Sequence, residues 1–344
     1  MKLAQIQMHV TADKAANLRH AEDLLRSVRG ADMAILPEMF CCPYDNACFR
    51  AYGEPEGGPA YQMLSRTARE LNLWLVGGSL PELDGDKIYN TAYVFDPTGT
   101  CVARHRKMHL FDIDVQGGQS FRESATLSPG NDITLFDTPY GRIGLCICFD
   151  LRFEELCRLM ALEGARVLLA PAAFNMTTGP AHWELLLRQR AVDNQCFTVG
   201  AAPARDEAAS YVAWGHSLVC DPWGTVLHEC GSGEETAVSL GIHVQRLTLT
   251  NMVLCCLTCS IIVSRVGLIN FIGLVAPHIV RMVVGNNHVY LIPGSVLAGA
   301  VLLLLGDLFA RVAMMPIILP IGAITSFLGG PLFLYLLFKG GTRK

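Results

Sequence analysis

The chain has 344 residues, 51% of them hydrophobic, and a formal net charge of −4 at pH 7. Residues 1–250 carry 21 Lys and Arg against 30 Asp and Glu, whereas residues 251–344 hold six basic residues and one acid. A mildly acidic front part joined to an apolar segment with a basic end has no clustered Lys/Arg surface, which excludes nucleic acid as a partner.

The 13 cysteines lie inside apolar runs such as LCIC and LCCLTC rather than at loop spacings. The start, MKLAQIQMHV, reads as a strand that leads straight into a helix, with no apolar leader. Both features point to reduced thiols on the cytoplasmic side. The Cys-Cys pairs at 41–42 and 255–256 lack a second pair and nearby histidines, so no metal is expected.

Strand patterns fall at 3–8, 33–37, 73–79, 91–96, 142–148, 167–174 and 196–203, and helical patterns at 12–29, 59–72, 152–163 and 181–194. After residue 211 come two or three more strands, AWGHSLVCDP, TVLHEC and TAVSLGI, split by Gly and Pro turns. This alternation predicts an α/β layered domain whose sheets are covered by helices. Near Gln245 the pattern changes. Residues 249–267, 288–306 and 314–338 are three apolar runs, each long enough to span a bilayer core. Residues 251–338 contain only four charged side chains, Arg265, Arg281, Asp307 and Arg311. Basic residues between the runs and at Lys339, Arg343 and Lys344 place the chain end on the cytoplasmic side.

Three strand ends of the front part carry reactive side chains. Glu38 follows the strand of ILPEMF, Lys107 follows a strand at 101–105, and Cys148 closes the run IGLCIC before Phe149 and Asp150. A thiol hydrolase needs a nucleophile, a base for its proton, and donors for the oxyanion. Strand ends hold such groups rigidly while leaving them accessible. Period 2 puts Cys146 and Cys148 on one face, with Cys148 at the terminus and Cys146 one pleat inside. Cys148 is therefore the candidate nucleophile, with the Phe149 N–H beside it as an oxyanion donor. Read singly, each residue has a plain structural role: a packed thiol, a capping acid, a solvated lysine.

The stretches LPEMF, RKMHLFDID, GRIGLCICFDLRF and APAAFNMTTGPAHWELLLRQRAVDNQ resemble the nitrilase, or carbon–nitrogen hydrolase, superfamily. LFDIDV, FRESATLSPG and PARDEAASYVAWGHS resemble its ω-amidase branch in particular. The resemblance covers residues 1–243 and implies an α-β-β-α sandwich with a Glu-Lys-Glu-Cys site and no cofactor. Carried over by motif, Glu38 is the general base, Lys107 the oxyanion-stabilising cation and Cys148 the nucleophile, and Glu123 of FRES orients Lys107 and the amide. The implied substrates are small dicarboxylate monoamides of the 2-oxoglutaramate type, and a homo-oligomer through the hydrolase domain is implied as well. Arg152, Asn175, Thr177 and Thr178 are candidates for holding the far carboxylate. Against this, Arg152 could pair with Glu155, Trp183, Arg190 and Asn194 could brace the sheet, His216 could be a satisfied polar group, and His109 could shape its loop. The sequence departs from the family in two places. Cys146 stands where glycine is usual, and the apolar segment replaces the closing helix and Arg-rich tail.

SRVGLINFIGLVAPHIVRMVVG, LIPGSVLAGAVLLLLGDLFAR and LPIGAITSFLGGPLFLYLLFK resemble the C-terminal part of iron-siderophore and cobalamin ABC importer permeases, over about residues 249–344. The resemblance implies an all-α transmembrane segment of three to four helices, membrane lipid around it, and an ABC ATPase subunit as partner at GLVAPH. The chain thus reads as a carbon–nitrogen hydrolase domain (1–243) fused to a truncated permease-like region (249–344). It is expected at the inner membrane, multi-pass, with the hydrolase in the cytoplasm. The rival readings are a permease component of such an importer and a nonfunctional chimera.

Overall fold

In the first strand, β1 (Lys2–Gln7), Leu3 and Ala4 are both fully buried yet belong to different cores. The same switch recurs in β2 (Met33–Ile35), where Met33 and Ile35 face one core and Ala34 the other. A strand can do this only if both of its faces are covered, because successive side chains point in opposite directions. The computed structural model describes residues 1–116 and 119–241, and beyond them residues 253, 256–258, 260, 272–284 and 288–312.

The sheet holding β1 and β2 is completed by β3 (Trp74–Val76), β4 (Leu80–Asp84), β5 (Lys87–Phe95), β6 (Cys101–Arg106) and β15 (Thr236–Gly241), in the order β15-β1-β2-β3-β5-β4 with β6 also on β5. β1, β2 and β3 run parallel, and β15 runs antiparallel to β1. A second sheet has the order β14-β13-β12-β11-β10-β9. Its strands are β9 (Thr134–Thr138), β10 (Gly141–Leu145), β11 (Val167–Pro171), β12 (Phe197–Ala201), β13 (Leu218–Cys220) and β14 (Val226–Glu229). A small hairpin, β7 (Asp112–Asp114) with β8 (Ser120–Arg122), stands apart from both.

Leu3, Met33, Ile35, Val76 and Val94 of the first sheet share one core with Ile143, Leu145, Leu169, Val199 and Leu218 of the second, so the two sheets are stacked face to face. Between them the buried Gln5 amide donates to the carbonyls of Gly200 (2.9 Å) and Leu218 (3.0 Å), a polar tie across the sandwich. Helices α1 (Lys14–Ser27) and α3 (Pro59–Leu71) cover the outer face of the first sheet through Ala21, Leu25, Met63 and Leu64. A short helix, α2 (Asn46–Tyr52), lies in the connection between them. On the second sheet α4 (Glu154–Leu162) and α5 (Gly179–Asn194) contribute Leu156, Met160, Trp183 and Leu187. The alternation of patterns predicts these helix-covered sheets, and their stacking gives the α-β-β-α sandwich that the resemblance implies.

The structure corrects some boundaries. The run at 142–148 is a strand only to Leu145, and Cys148 opens a 3-10 turn, Cys148–Arg152. β4, β9, α2 and the β7–β8 hairpin have too weak a local pattern to be read from the sequence. The chain divides into two compact units, Met1–Arg246 and Leu247–Lys344. In the second unit the described helices are α6 (Ile272–Val284), which includes GLVAPH, and α7 (His288–Val312), which pack on each other. One helix among the described residues, over Pro293–Val312, is long and apolar enough to cross a membrane. The expected span at 249–267 is described only at residues 253, 256–258 and 260, and the span at 314–338 lies outside the described residues.

A close backbone approach fixes the strand end after β2. Gly78 has φ +60, and a Cβ there would stand 2.1 Å from the Pro37 carbonyl oxygen. Ser79 then bonds the same loop, accepting from Met39 N at 3.1 Å through Oγ and donating from N to Pro37 O at 3.2 Å. Replacing Gly78 by Ala adds left-handed strain and a backbone clash. The expected loss, measured by denaturant unfolding, is about 2–4 kcal/mol.

Candidate active site

Glu38, Lys107 and Glu123 come from three separate elements and meet in a site closed to solvent. Glu38 sits on the turn after β2, held by the Gly78–Ser79 contacts. Lys107 follows β6 and continues its pairing, donating from N to Asn90 O on β5 at 2.8 Å. Glu123 starts a one-turn 3-10 helix after β8, and its Oε2 accepts from Phe111 N at 2.6 Å. All three side chains have no exposed surface.

The Lys107 ammonium lies 2.8 Å from Glu38 Oε1 and 2.9 Å from Glu123 Oε2. It also donates to the Tyr44 hydroxyl at 3.1 Å. Asn90 Nδ2 donates to Glu38 Oε1 (2.7 Å) and to Glu123 Oε1 (3.2 Å), and the Tyr44 hydroxyl lies 3.1 Å from Glu123 Oε1. One buried cation thus serves two carboxylates, and neutral donors supply the remaining contacts. Burial and the nearby Glu123 charge push the Glu38 carboxyl above its ordinary value, although Lys107 pulls it back. Burial works against the ammonium, but Glu123 and Glu38 together hold its pKa well above the usual lysine range. Burial keeps the Tyr44 and Tyr211 phenols neutral, well above their ordinary value. Glu38 Oε2 is buried without a hydrogen bond.

Cys148 stands at the head of its 3-10 turn with φ +47, a conformation that a non-glycine residue adopts only when its surroundings impose it. The thiol is nearly buried and interacts electrostatically with Glu38 and Lys107. Burial and the Glu38 charge push it well above the ordinary thiol value, so the sulfur keeps its proton until a base takes it. Phe149 N–H is among the first amides of the turn, which have no partner inside it. Cys146 is fully buried beside Cys157, pushed up by that thiol and by burial, and is inert packing. The two cysteines therefore differ by the turn that begins at Cys148, and not by one strand period.

Sequence reasoning missed the group that sets this turn. Asp150 is fully buried. Its Oδ2 accepts from Ile147 N (3.0 Å) and contacts His105 Nε2 (3.0 Å), while Oδ1 accepts from His109 N (2.9 Å) and Met108 N (3.2 Å). It thereby ties the segment after Lys107 to the Cys148 turn. His109 Nδ1 adds a 2.8 Å contact to Oδ1, so His109 does shape its loop. Burial opposes the Asp150 charge, yet the bonds from His105, His109 and Ile147 N hold its pKa well below the ordinary carboxylate value of 3.8. Tyr44 and Asn90 also went unread. The signal for them was only their place on a strand and a loop next to predicted site residues.

The carboxylate candidates divide. Asn175 Oδ1 accepts from Thr177 N (3.1 Å), Thr178 N (2.9 Å) and Thr178 Oγ1 (3.0 Å), and its Nδ2 donates to Gln119 Oε1. Asn175 and Thr178 are thus engaged in shaping the turn before α5. Arg152 does not pair with Glu155; its Nη2 lies 3.0 Å from His182 Nδ1. Arg190 braces the turn by donating to the carbonyls of Leu151 (2.9 Å) and Arg152 (3.1 Å), Asn194 bonds back to Arg190, and Trp183 Nε1 donates to His216 O at 2.6 Å. His216 Nδ1 contacts Glu229 at 2.8 Å, a satisfied surface pair.

Residues 2–251 match the carbon-nitrogen hydrolase family. The chain belongs to this family. The chain is 52% identical over 248 residues to the omega-amidase NIT2 of Danio rerio, which covers 72% of this chain and 89% of that protein. To the omega-amidase NIT2 of Homo sapiens it is 50% identical, over 72% of this chain and 90% of the relative. The crystal structure of Nit3 from Saccharomyces cerevisiae, a nitrilase-superfamily member, superposes with a TM-score of 0.66 at 40% identity, covering 73% of this chain and 93% of Nit3. An amidase from Nesterenkonia sp. AN1, with acrylamide added at its active-site cysteine, gives 0.61 at 26% identity, over 73% and 98%. Residues 223–339 match the FecCD transport family. This carbon–nitrogen hydrolase is an amidase with a cysteine nucleophile.

The Asp150 contacts generate a test. Asp150→Asn puts an amide NH2 where only acceptors fit, so about 3–5 kcal/mol of stability is lost. Because the folded-state carboxyl is held below its unfolded value of 3.8, its contribution is present above that pH and fades as pH falls beneath it. Urea titrations between pH 7 and pH 3 should therefore show the gap between wild type and variant shrinking on acidification.

Proposed function

We propose that Glu38, Lys107, Glu123 and Cys148 form the catalytic group of an ω-amidase-type reaction on small dicarboxylate monoamides such as 2-oxoglutaramate. The observation that carries the assignment is the Lys107 ammonium, 2.8 Å from Glu38 and 2.9 Å from Glu123 and in electrostatic contact with the Cys148 thiol. The identity of about half to curated omega-amidases supports the substrate class.

Glu38 takes the proton from Cys148 as the sulfur attacks the amide carbon. The carbonyl π electrons move to oxygen, and the oxyanion is held by the Lys107 Nζ–H and the Phe149 N–H. Preorganised donors of this kind in a site without water contribute most of the barrier reduction in such reactions. The proton on Glu38 passes to the amide nitrogen, the C–N bond breaks, and ammonia leaves a thioester on Cys148. Glu38 then removes a proton from water, the hydroxyl oxygen adds to the thioester carbon, and collapse releases the carboxylic acid and the thiol. Glu123 holds Lys107 in line and presents an acceptor to the amide N–H. Thr177 lies at the edge of the same turn as Asn175 and Thr178, which are proposed to support the substrate through that turn rather than to contact it.

For the second unit the proposal is a membrane anchor, with α7 in the inner membrane and the hydrolase in the cytoplasm. The FecCD match and the Pro293–Val312 helix support it. An ATPase partner and a translocation role rest on the FecCD match alone, and no feature of the hydrolase unit favours them.

Ammonia release from 2-oxoglutaramate by the full chain, in separate membrane and soluble fractions, tests the reading. Activity is expected in the membrane fraction and should fall by about 10⁴-fold or more in Cys148→Ala. Activity that survives Cys148→Ala contradicts the assignment, and activity only in the soluble fraction contradicts the anchor. Since Glu38 must be ionised to act and its pKa is raised, the acid limb of kcat/KM should lie above pH 4.5, the ordinary glutamate value. A limb at or below that value would show that Glu38 is not the base.

A further inference from the structure

Glu38 is paired on only one of its two oxygens. Oε1 lies 2.8 Å from the Lys107 ammonium and accepts from Asn90 Nδ2 at 2.7 Å, whereas Oε2 is buried with no hydrogen-bond partner. Glu38 also lines the inner end of a cavity of about 60 Å³. From there the cavity passes Cys42 and Ala204, both buried, and reaches Asp206 and Ser210, both exposed on the loop after β12. Ala173 forms part of the wall, and its backbone contacts the Cys148 sulfur. The cavity therefore leads from the surface to the base, next to the segment that touches the thiol.

A second cavity, of about 420 Å³, lies towards the β7–β8 hairpin and is lined by Asn46, Gln119, Phe121 and Arg122. Tyr44, Ser210 and Tyr211 border both cavities. The two tyrosine rings are stacked with centroids 4.6 Å apart, and the Tyr211 hydroxyl donates to Ala173 O at 2.5 Å, so the partition is held in place. Size decides what each side can take. Small-molecule sites measure about 300–1,000 Å³, so the larger cavity suits a five-carbon monoamide and the smaller does not. A single water needs only about 10–15 Å³ and polar partners. Glu38 supplies a partner at the inner end of the smaller cavity. Between its ends the wall is apolar, with Met39, Pro203 and Ala213, which admits neutral water and disfavours ions.

We propose that the smaller cavity is a water entrance, which brings the deacylating water to Glu38 while the acyl group fills the other side of the Tyr44–Tyr211 pair. The proposal rests on the amidase reading of Cys148 and deepens it. The arriving water donates to Glu38 Oε2. As its oxygen adds to the thioester carbon, that proton passes to Glu38 and the carbonyl π electrons move to oxygen. Collapse re-forms the C=O bond and breaks the C–S bond, and the sulfur takes the proton back from Glu38, leaving a carboxylic acid and a free thiol. A separate entrance lets water reach the thioester without the substrate side having to open. Tyr211 is a positioning residue here, because it holds the partition and touches neither the water nor the acyl carbon.

The test separates acylation from deacylation in the full chain. Ala209→Leu narrows the outer end of the small cavity, and Cys42→Leu fills its middle. Rapid-quench experiments with 2-oxoglutaramate read the first equivalent of ammonia, the later turnovers, and the acyl enzyme by mass. Both variants should release the first equivalent at the wild-type rate and then turn over about 10-fold or more slowly, with acyl enzyme accumulating above the wild-type level. Cys42→Ala, which widens the passage, should keep the wild-type rate throughout. Structural damage around Glu38 would slow the first equivalent as well, because Glu38 also takes the Cys148 proton. First and later turnovers slowed equally, or filled variants that turn over like wild type, would overturn the entrance. If one filled variant does not fold, the other carries the test. A wild type that releases no ammonia removes the amidase reading and the entrance with it, whereas an active wild type with unaffected variants removes the entrance alone.

Discussion

Everything in the hydrolase unit converges on one ammonium shared by two buried carboxylates. Lys107 has no exposed surface, and an isolated charge in that place would be strongly unfavourable. Glu38 and Glu123 make it tolerable, and the arrangement leaves one net negative charge that Asn90, Tyr44 and Phe111 N–H share out. The rest of the fold keeps that geometry rigid. Two stacked sheets bring the ends of β2, β6 and β10 together, Gly78 lets the Glu38 loop approach, and Asp150 joins the Lys107 segment to the Cys148 turn. In the proposed reaction this gives an oxyanion donor that is charged and fixed before substrate arrives, which is the condition under which electrostatic stabilisation is largest.

The same constraint explains the protonation pattern. A buried thiol beside an existing carboxylate holds its proton, and a buried carboxyl beside a second carboxylate binds protons more readily than one in water. Both effects favour the neutral forms, so the Cys148 sulfur keeps its proton in the resting site. Cys146 shows the contrast: it is fully buried, and its main partner is another thiol, Cys157.

Much of the fold was legible because strand alternation and helix periodicity are local. Leu3 against Ala4 and Met33 against Ala34 announce a sheet covered on both faces. Glu38, Lys107 and Cys148 were legible for a related reason, since each stands where an apolar run stops. Tyr44, Asn90 and Asp150 were not, because what makes them matter is contact across 33 to 79 positions of sequence, as in Asn90 to Glu123 or Tyr44 to Glu123. The positive φ of Cys148 was hidden too, since the run LCIC carries no turn residue. The alternative partner for Arg152, Glu155, is close in sequence, whereas the contact it makes, His182, lies across the fold. In the second unit the resemblance to importer permeases reaches further than the described helices, which give one span-length apolar helix where several were expected.

Rapid-quench mass spectrometry of the full chain mixed with 2-oxoglutaramate tests the central claim most directly. An acyl adduct of 2-oxoglutaryl mass should build up within the first turnover on the peptide that contains Cys148 and should be absent from Cys148→Ala. An adduct on a different cysteine, or ammonia released in a full first turnover with no acyl species on Cys148, would contradict it.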